Sequence, residues 1–405
     1  MRRVVRRVAY FLDLFPAVTD PFILNELLTL ERRGVALEIY SWRPNPDDRG
    51  QVPPELGRLK APITFLGQLE FRLTEKLTAL AWALARHPAR TLRWGAHYAL
   101  RGGRERWYWA QALCLARRLE REGVDQIHAH FLSVAGKMAT TVAQCTGIPF
   151  TFTLHAQEIY DSASTGELQF RCAAAADVVT VSEYNRRWLA ERHGIPSERV
   201  HVVHCGIDPS FFGPNGAHVA EASEPLVVCV ARLQPIKGLE FLVEACASLK
   251  RRGYRFRCAI LGEGPERPAL ERRIAEQQLG GVVELMGQQP QEVVRQYLRK
   301  ATLFVLPSRS ESMGVATMEA MACQVPVVVT QVRGVPELVK HERCGLLVPP
   351  QDVGALAAAI ARLLDDPALR ARFGTAAREK VLNEFTLDRQ AEQLLEIWGR
   401  DSGDG

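Results

Sequence analysis

At 405 residues the chain is long for one α/β core and well sized for two, and 47% hydrophobic against 24% charged residues is the balance of a folded globular protein, not a disordered one. A formal charge of +5 is too mild to demand nucleic acid as a partner. Nine cysteines, scattered, odd in number and never in a C-x-x-C pair, exclude a disulfide frame or a zinc knuckle and read as small buried residues in a reducing compartment.

The start, Met1-Arg2-Arg3-Val4-Val5-Arg6-Arg7 followed by Val8 to Leu12, resembles a signal peptide only superficially. The apolar stretch breaks at Asp13 and no small-residue cleavage site follows, so Val4–Leu12 is predicted to be a first strand. Pro21–Arg33 has helical spacing and stops at Gly34, and Val35–Ser41 is strand again. Ile127–Phe131, Phe150–Leu154, Val178–Ser182 and Val200–His204 continue the strands between helical segments. The rhythm breaks at Gly213-Pro214-Asn215-Gly216 and restarts after Glu224 with strands at Leu226–Ala231, Arg257–Leu261, Val282–Met286, Leu303–Leu306 and Val325–Thr330. Helices are expected over Leu239–Arg252 and Glu266–Gln278, and three more follow without a strand between them: Gly354–Asp365, Ala368–Asn383 and Asp388–Arg400. Strands alternating with helices predict parallel sheets covered on both faces. The expected domains are 1–212, a linker at 213–224, 225–384, and a last helix within 385–405 that crosses back to the first domain. No stretch approaches the ~18–20 apolar residues of a membrane span, so a cytoplasmic protein is expected.

Ligands in such sheets bind beyond the carboxyl ends of the strands, which directs attention to three loops. Arg232-Leu233-Gln234-Pro235-Ile236-Lys237-Gly238 puts two cations on a strand-to-helix turn, suited to a diphosphate. Leu261-Gly262-Glu263-Gly264-Pro265 would let backbone approach a ligand closely, although tight turns use glycine constantly. The most informative stretch runs from Leu306 to Ala322. Glu311 lies on its loop, Glu319 eight residues on in the next helix, and Gly314 just before that helix, where free N–H groups can face a phosphate or a sugar hydroxyl. Ionised carboxylates only accept, so the two glutamates suit the paired hydroxyls of a pyranose and a ribose.

The run from Glu311 to Glu319, with Arg232 and Lys237 upstream and Gly334-Val335-Pro336-Glu337-Leu338 downstream, resembles the retaining glycosyltransferase family 4 over nearly the whole chain. Phe15-Pro16, Phe22-Ile23-Leu24-Asn25-Glu26, His128-Ala129-His130-Phe131 and Thr153-Leu154-His155-Ala156 resemble its bacterial exopolysaccharide enzymes of the colanic-acid type. The resemblance implies the GT-B fold, two Rossmann-like α/β domains whose parallel sheets face across a cleft. It implies that Arg232 and Lys237 neutralise the departing diphosphate, and that Glu311 holds hydroxyls of the transferred sugar with the N–H groups of Met313, Gly314 and Val315. Glu319 would bind the ribose, Gly262 and Gly264 would line the donor site, and His155 would sit beside the reacting centre near the sugar's hydroxymethyl group. His128 and His130 are read as structural. Thr19, Asp20 and Glu158 are assigned to the acceptor side.

Several positions depart from the family's pattern. Ala17-Val18-Thr19-Asp20 stands where a Gly-rich loop is common, Asp20 replaces a glutamate, and Glu158 an aspartate. Gln324 replaces a glycine, at a cost of ~1–2 kcal/mol if the backbone there is left-handed. Arg333 replaces a small residue, either as a phosphate contact or as an exposed side chain. The sequence carries no D-x-D, so no metal and no other cofactor is expected.

From Arg58 to Glu122 thirteen Lys/Arg face five Asp/Glu, and Phe71–Trp109 mixes arginines with Trp82, Trp94, Trp107, Tyr108 and Trp109. Two readings stand for this segment: an interface with an anionic membrane, or helices whose aromatics pack inward. The expected function is transfer of a hexose from a UDP- or GDP-sugar to a saccharide or lipid-linked acceptor in cell-surface polysaccharide or glycolipid assembly. The expected partners are that donor and acceptor, peripheral contact with the inner face of the membrane, and no nucleic acid. The competing expectations are a catalytically silent nucleotide-sugar-binding partner and a nucleotide-sugar epimerase of the same fold.

Overall fold

The computed structural model describes residues 4–16, 21–44, 54–160, 165–214 and 224–400. Its strands are short apolar runs, as parallel strands buried on both faces must be. In chain order they are β1 (Arg7–Leu14), β2 (Ala36–Arg43), β3 (Ile63–Phe65), β4 (Gln126–His130), β5 (Phe150–Leu154), β6 (Asp177–Thr180), β7 (Val200–Val202), β8 (Leu226–Val230), β9 (Arg257–Leu261), β10 (Val283–Gly287), β11 (Leu303–Leu306), β12 (Val327–Thr330) and β13 (Leu346–Val348). They form a seven-stranded sheet ordered β3-β2-β1-β4-β5-β6-β7 and a six-stranded sheet ordered β10-β9-β8-β11-β12-β13. Every pairing within both is parallel. In each sheet the order reverses once, between β1 and β4 and between β8 and β11. Those two points are where a doubly wound sheet opens a crevice for a ligand.

The chain divides into two units, one comprising Met1–Val181, Asn185–Val203 and Gln390–Gly405, the other Ser182–Tyr184 and His204–Arg389. In the first unit, one face of the sheet is covered by the helix Pro21–Arg32 and by the last helix, Leu387–Trp398, whose Ala391, Leu394, Ile397 and Trp398 join a core with Val8, Tyr10 and Leu12. The helices Leu73–Arg86, Gly103–Glu122 and Val134–Thr146 cover the other face, around Phe11, Ile127 and Phe152. Two elements were not expected from the sequence: β3 and β13 are three-residue edge strands, too short to carry a pattern. The first strand begins at Arg7, not Val4, because its partner β2 begins at Ala36, opposite Arg7. Of the expected linker, residues 215–223 lie outside the described residues.

Gln324 has φ 65°. It follows the helix Val315–Ala322 in a Schellman turn, with Val325 N–H donating to Ala320 O and Gln324 N–H to Met321 O, both at 3.0 Å. The left-handed cost anticipated for a non-glycine residue there is therefore incurred. Arg333 is half-buried with φ 43°. All nine cysteines are buried and unpaired.

In the basic, aromatic segment several aromatics pack inward. Tyr98 and Tyr108 are buried, and Trp82 and Trp109 pack against the core. The leucines behave differently: Leu73, Leu77, Leu92 and Leu100 are 70%, 57%, 65% and 89% exposed, beside exposed Arg86, Arg90, Arg93 and Arg101. Among the described residues no helix is long and apolar enough to cross a membrane.

Candidate active site

In the second unit, β8 and β11 flank the point where strand order reverses, and the loops leaving them meet. Arg309 N–H donates to Ile236 O at 2.8 Å, and Lys237 Nζ lies 2.5 Å from Glu311 Oε2. Both side chains of that ion pair are largely shielded, 17% and 15% exposed, so solvent screens it less than a surface pair. Ser308 Oγ adds a longer contact of 3.5 Å to the same oxygen. Arg232, on the same turn as Lys237, is exposed and has no ion-pair partner among the described residues.

Gly314 ends the second loop with φ 83° and caps the helix Val315–Ala322. The amides of Met313, Gly314, Val315 and Ala316 donate to no acceptor among the described residues. Free N–H groups at a helix start, with the positive end of its dipole behind them, make a receptor for anionic or hydroxylic oxygen. Gly334, from the downstream motif, supports this loop closely: a Cβ there would lie 1.8 Å from Ser312 O.

Glu319, on the second turn of that helix, is 7% exposed; its main-chain carbonyl accepts from Cys323 N–H, but its carboxylate has no hydrogen-bond or ion-pair partner among the described residues. Burial alone pushes its carboxyl up to about 8. A largely buried acceptor with no protein donor is better satisfied by a ligand than by the little solvent that reaches it. Gly262 and Gly264 have a different task visible in the fold. Cβ atoms on them would lie 1.9 Å from Ala231 O and 2.4 Å from Leu233 O, so both let β9's loop close onto the Arg232 turn, which Leu233 N–H ties to Glu263 O at 2.9 Å.

In the first unit the C-terminal ends of β4 and β5 carry a buried polar chain. His130 Nδ1 lies 2.9 Å from His155 Nε2, and His130 Nε2 lies 3.0 Å from Glu26 Oε1. Tyr10 donates to Glu26 Oε1 at 2.6 Å, and Gln390 Nε2 donates to Glu26 Oε2. Burial would raise the Glu26 carboxyl, but His130 facing it, the His130 and Tyr10 hydrogen bonds and nearby His155 hold it below its usual range. Burial pushes His155 well below the ordinary histidine range; His130 adds to this and Glu26 opposes it. His128 is saturated by hydroxyls, Thr151 Oγ1 at 2.8 Å and Thr153 Oγ1 at 3.1 Å, and is likewise kept neutral by burial. Glu26, His128 and His130 bring candidate ligand atoms within 4.8 Å of one another, yet each of those side chains' nitrogens and oxygens already has a protein partner. The cluster is a hydrogen-bond network.

Of the residues singled out in the sequence, the structure brings Lys237, Glu311 and the amides of Met313, Gly314 and Val315 together, with Arg232 and Glu319 on the same two loop-to-helix connections. Glu158 turns its carboxylate onto the backbone N–H groups of His155, at 2.5 Å, and Ala156, at 3.3 Å, so it holds the histidine's main chain. Thr19 and Asp20 lie outside the described residues. Sequence reasoning set His130 aside as structural and gave Glu26 no role. The available signal was two histidines at spacing two on one face of a fully buried strand.

Two family models match the chain, Glycosyltransferase Family 4 over residues 22–211 and Glycosyl transferases group 1 over residues 216–380. The putative colanic acid biosynthesis glycosyltransferase WcaL of Salmonella typhimurium is 31% identical over 96% of this chain and 99% of its own length. The alpha-D-kanosaminyltransferase of Streptomyces kanamyceticus is 29% identical over 70% of this chain and 79% of its own. Among solved structures, a glycosyltransferase of Rickettsia africae superposes with a TM-score of 0.72 at 18% identity, covering 98% of each chain. HepE of Anabaena, solved in complex with UDP, gives 0.73 at 17% identity over 96% of this chain and 98% of that one. These structural likenesses establish the fold, and the full-length sequence relative establishes the kinship. The chain belongs to glycosyltransferase family 4, as a transferase built from the two Rossmann-like domains of the GT-B fold.

Proposed function

We propose that this enzyme moves a hexose, with retention, from a UDP- or GDP-sugar to a saccharide or lipid-linked saccharide, in the assembly of cell-surface polysaccharide or glycolipid. The observation that carries the reading is in the second unit. A shielded Lys237–Glu311 pair and four amides with no acceptor lie on the loops where strand order reverses, and the helix that follows carries a buried glutamate, Glu319. Each needs what a nucleotide-sugar offers: a diphosphate for Lys237 and Arg232, sugar hydroxyls for Glu311 and the amides of Met313 to Val315, and a ribose for Glu319. Gly262 and Gly264 shape the turn that presents Arg232.

As the bond from the anomeric carbon to the diphosphate breaks, its electron pair passes to the phosphate oxygen. Cations and amides already in place stabilise charge as it develops, without reorganisation. Retention by double displacement needs a carboxylate beneath the anomeric carbon. Glu311 is committed to Lys237 and Glu158 to backbone. Same-face attack by the acceptor hydroxyl is therefore the favoured route, its proton passing to the departing phosphate. His155, in the first unit, receives a hydroxyl of the substrate, and acceptor contacts come from Thr19 and Asp20, with Glu158 holding the histidine in place. No metal takes part and no nucleic acid is bound.

A panel of UDP- and GDP-sugars with saccharide acceptors tests this. Transfer is expected with one donor, dependent on acceptor and undiminished by EDTA. Product formed without acceptor would replace the transferase by an epimerase, and dependence on added Mn²⁺ or Mg²⁺ would overturn the metal-free step.

The proposal extends to the membrane, because the exposed leucines of the helices Leu73–Arg86 and Pro88–Ala99 lie among arginines, the composition of an interfacial surface. Co-sedimentation with vesicles containing anionic lipid is expected at low salt and should weaken as salt rises. Absence of binding at low salt would remove this part of the reading.

A further inference from the structure

We propose that Glu26 and His130 are positioning residues for the transfer reaction, fixing His155 as the tautomer whose bare Nδ1 accepts a hydrogen bond from a substrate hydroxyl. The inference rests on the reading of His155 as a substrate contact and adds the device that sets its polarity.

The argument is one of donors and acceptors. An ionised carboxylate only accepts, and Glu26 already takes hydrogen bonds from Tyr10 and Gln390. His130 Nε2, 3.0 Å away, therefore carries its proton toward Glu26. In a neutral ring the other nitrogen is then a lone pair, so His130 Nδ1 accepts and His155 donates from Nε2 across 2.9 Å. That leaves His155 Nδ1 unprotonated, and among the described residues it has no hydrogen-bond partner. Its ring packs against Phe22 at 5.1 Å and Phe131 at 4.7 Å between centroids, and its backbone is held by Glu158. His155 is half-buried, whereas Glu26 and His130 are 2% and 0% exposed, so the chain runs from a sealed interior to an open end.

One added proton reverses the open end. With a proton on each nitrogen of His130, Nδ1 becomes the donor, His155 Nε2 accepts, and the proton of His155 moves to Nδ1. The site then offers a donor where the substrate needs an acceptor. The groups facing this chain are Tyr10 from β1, His128 from β4 (5.1 Å from the His130 ring) and Gln390 from the last helix. Besides Glu26, the acid facing the chain is Glu158, whose carboxylate accepts from the His155 N–H at 2.5 Å and also acts on His130.

Ring-¹⁵N-labelled histidine in the wild-type protein reads the tautomer directly: His155 is expected to be protonated on Nε2 and bare on Nδ1 at neutral pH. The opposite pattern would overturn the proposal, and this measurement needs no variant to fold. In Glu26→Gln, which keeps the shape but no longer offers an acceptor-only group, His130 can turn its proton toward His155, so the Nε2-protonated signal of His155 should weaken, and an unchanged pattern counts against the relay. His130→Phe should lower kcat about ten- to a hundredfold, the loss of one charge-supported hydrogen bond, with the KM for donor little changed. In a His155→Ala background neither substitution should lower kcat further; losses that multiply would mean a purely structural role. Wild-type kcat in His155→Ala itself would remove the substrate contact, while the ¹⁵N pattern would still decide the tautomer.

Discussion

Lys237→Ala should lower kcat/KM by about a hundred- to a thousandfold while the protein stays folded. The size follows from what is removed: a cation placed in advance, in a shielded site, where the leaving diphosphate gathers charge. Arg232, exposed on the same turn, remains to attract the nucleotide, so UDP or GDP affinity should fall far less than turnover. The variant also strands Glu311, whose side chain is only 15% exposed and whose nearest cation would be gone. Leaving one charge of a largely shielded pair unpaired should cost about 1–3 kcal/mol of stability. Lys237→Ala combined with Glu311→Gln should recover that stability and none of the turnover. Thermal unfolding, nucleotide titration and steady-state rates on the three proteins separate these effects. A Lys237→Ala enzyme within fivefold of wild type would remove the lysine from the chemistry. Lys237→Arg is expected to rescue poorly, because a planar guanidinium does not occupy the position of a compact ammonium 2.5 Å from Glu311.

How far the sequence foretold this site depends on how local each signal was. β8 and β11 read clearly as strands because both faces are buried, and their loops carry Arg232, Lys237, Glu311 and Gly314 within a few residues of the strand ends. Position after a parallel strand is a local property, so these residues could be singled out one by one. The pairing of Lys237 with Glu311, 74 positions apart, needed the two loops to be neighbours, which strand order supplies and periodicity does not. Glu319 was legible as a residue but not as a buried, unpartnered acid. The helical face it occupies is set by the packing of Met318, Ala320, Met321 and Ala322, all of them buried.

The Glu26–His130–His155 chain was not legible as a unit. Its links join residues 104 and 25 positions apart, from a helix and the ends of two strands. Each separately has a bland reading: a helix glutamate, a strand histidine, a histidine at a strand end. What unites them is the β1-β4-β5 order, with Tyr10 opposite His128 and His130 opposite Thr153. The glycines carry a task in the fold that the sequence did not show. Gly262 and Gly264 were noticed for ligand approach, whereas the contact they permit in the fold is with the backbone of Ala231 and Leu233.

Glu319→Gln should stabilise the free protein at alkaline pH and weaken nucleotide binding. In the folded protein burial raises the carboxyl from the ordinary glutamate range to about 8, so between those limits the native state holds a proton that the unfolded state releases. Stability from this group is full below the unfolded value and is lost as pH rises through about 8. The glutamine variant has no such loss. It should match wild type near pH 5 and exceed it by about 1–3 kcal/mol at pH 9, the usual cost of an uncompensated buried polar group. The ligand reverses the sign. Two ribose hydroxyls donating to the carboxylate favour its ionised form, so binding of UDP or GDP at pH 7 should release close to one proton. Affinity should then rise with pH and level off above about 8. Calorimetry in buffers of different ionisation enthalpy counts that proton, and the glutamine variant should release none and bind about ten- to a hundredfold more weakly. Proton release that persists in Glu319→Gln, or unchanged affinity, would take the ribose away from this residue. The same buried acid thus lowers the stability of the empty fold and strengthens its hold on the nucleotide, which accounts for a carboxylate left without a partner inside a helix that otherwise faces the core.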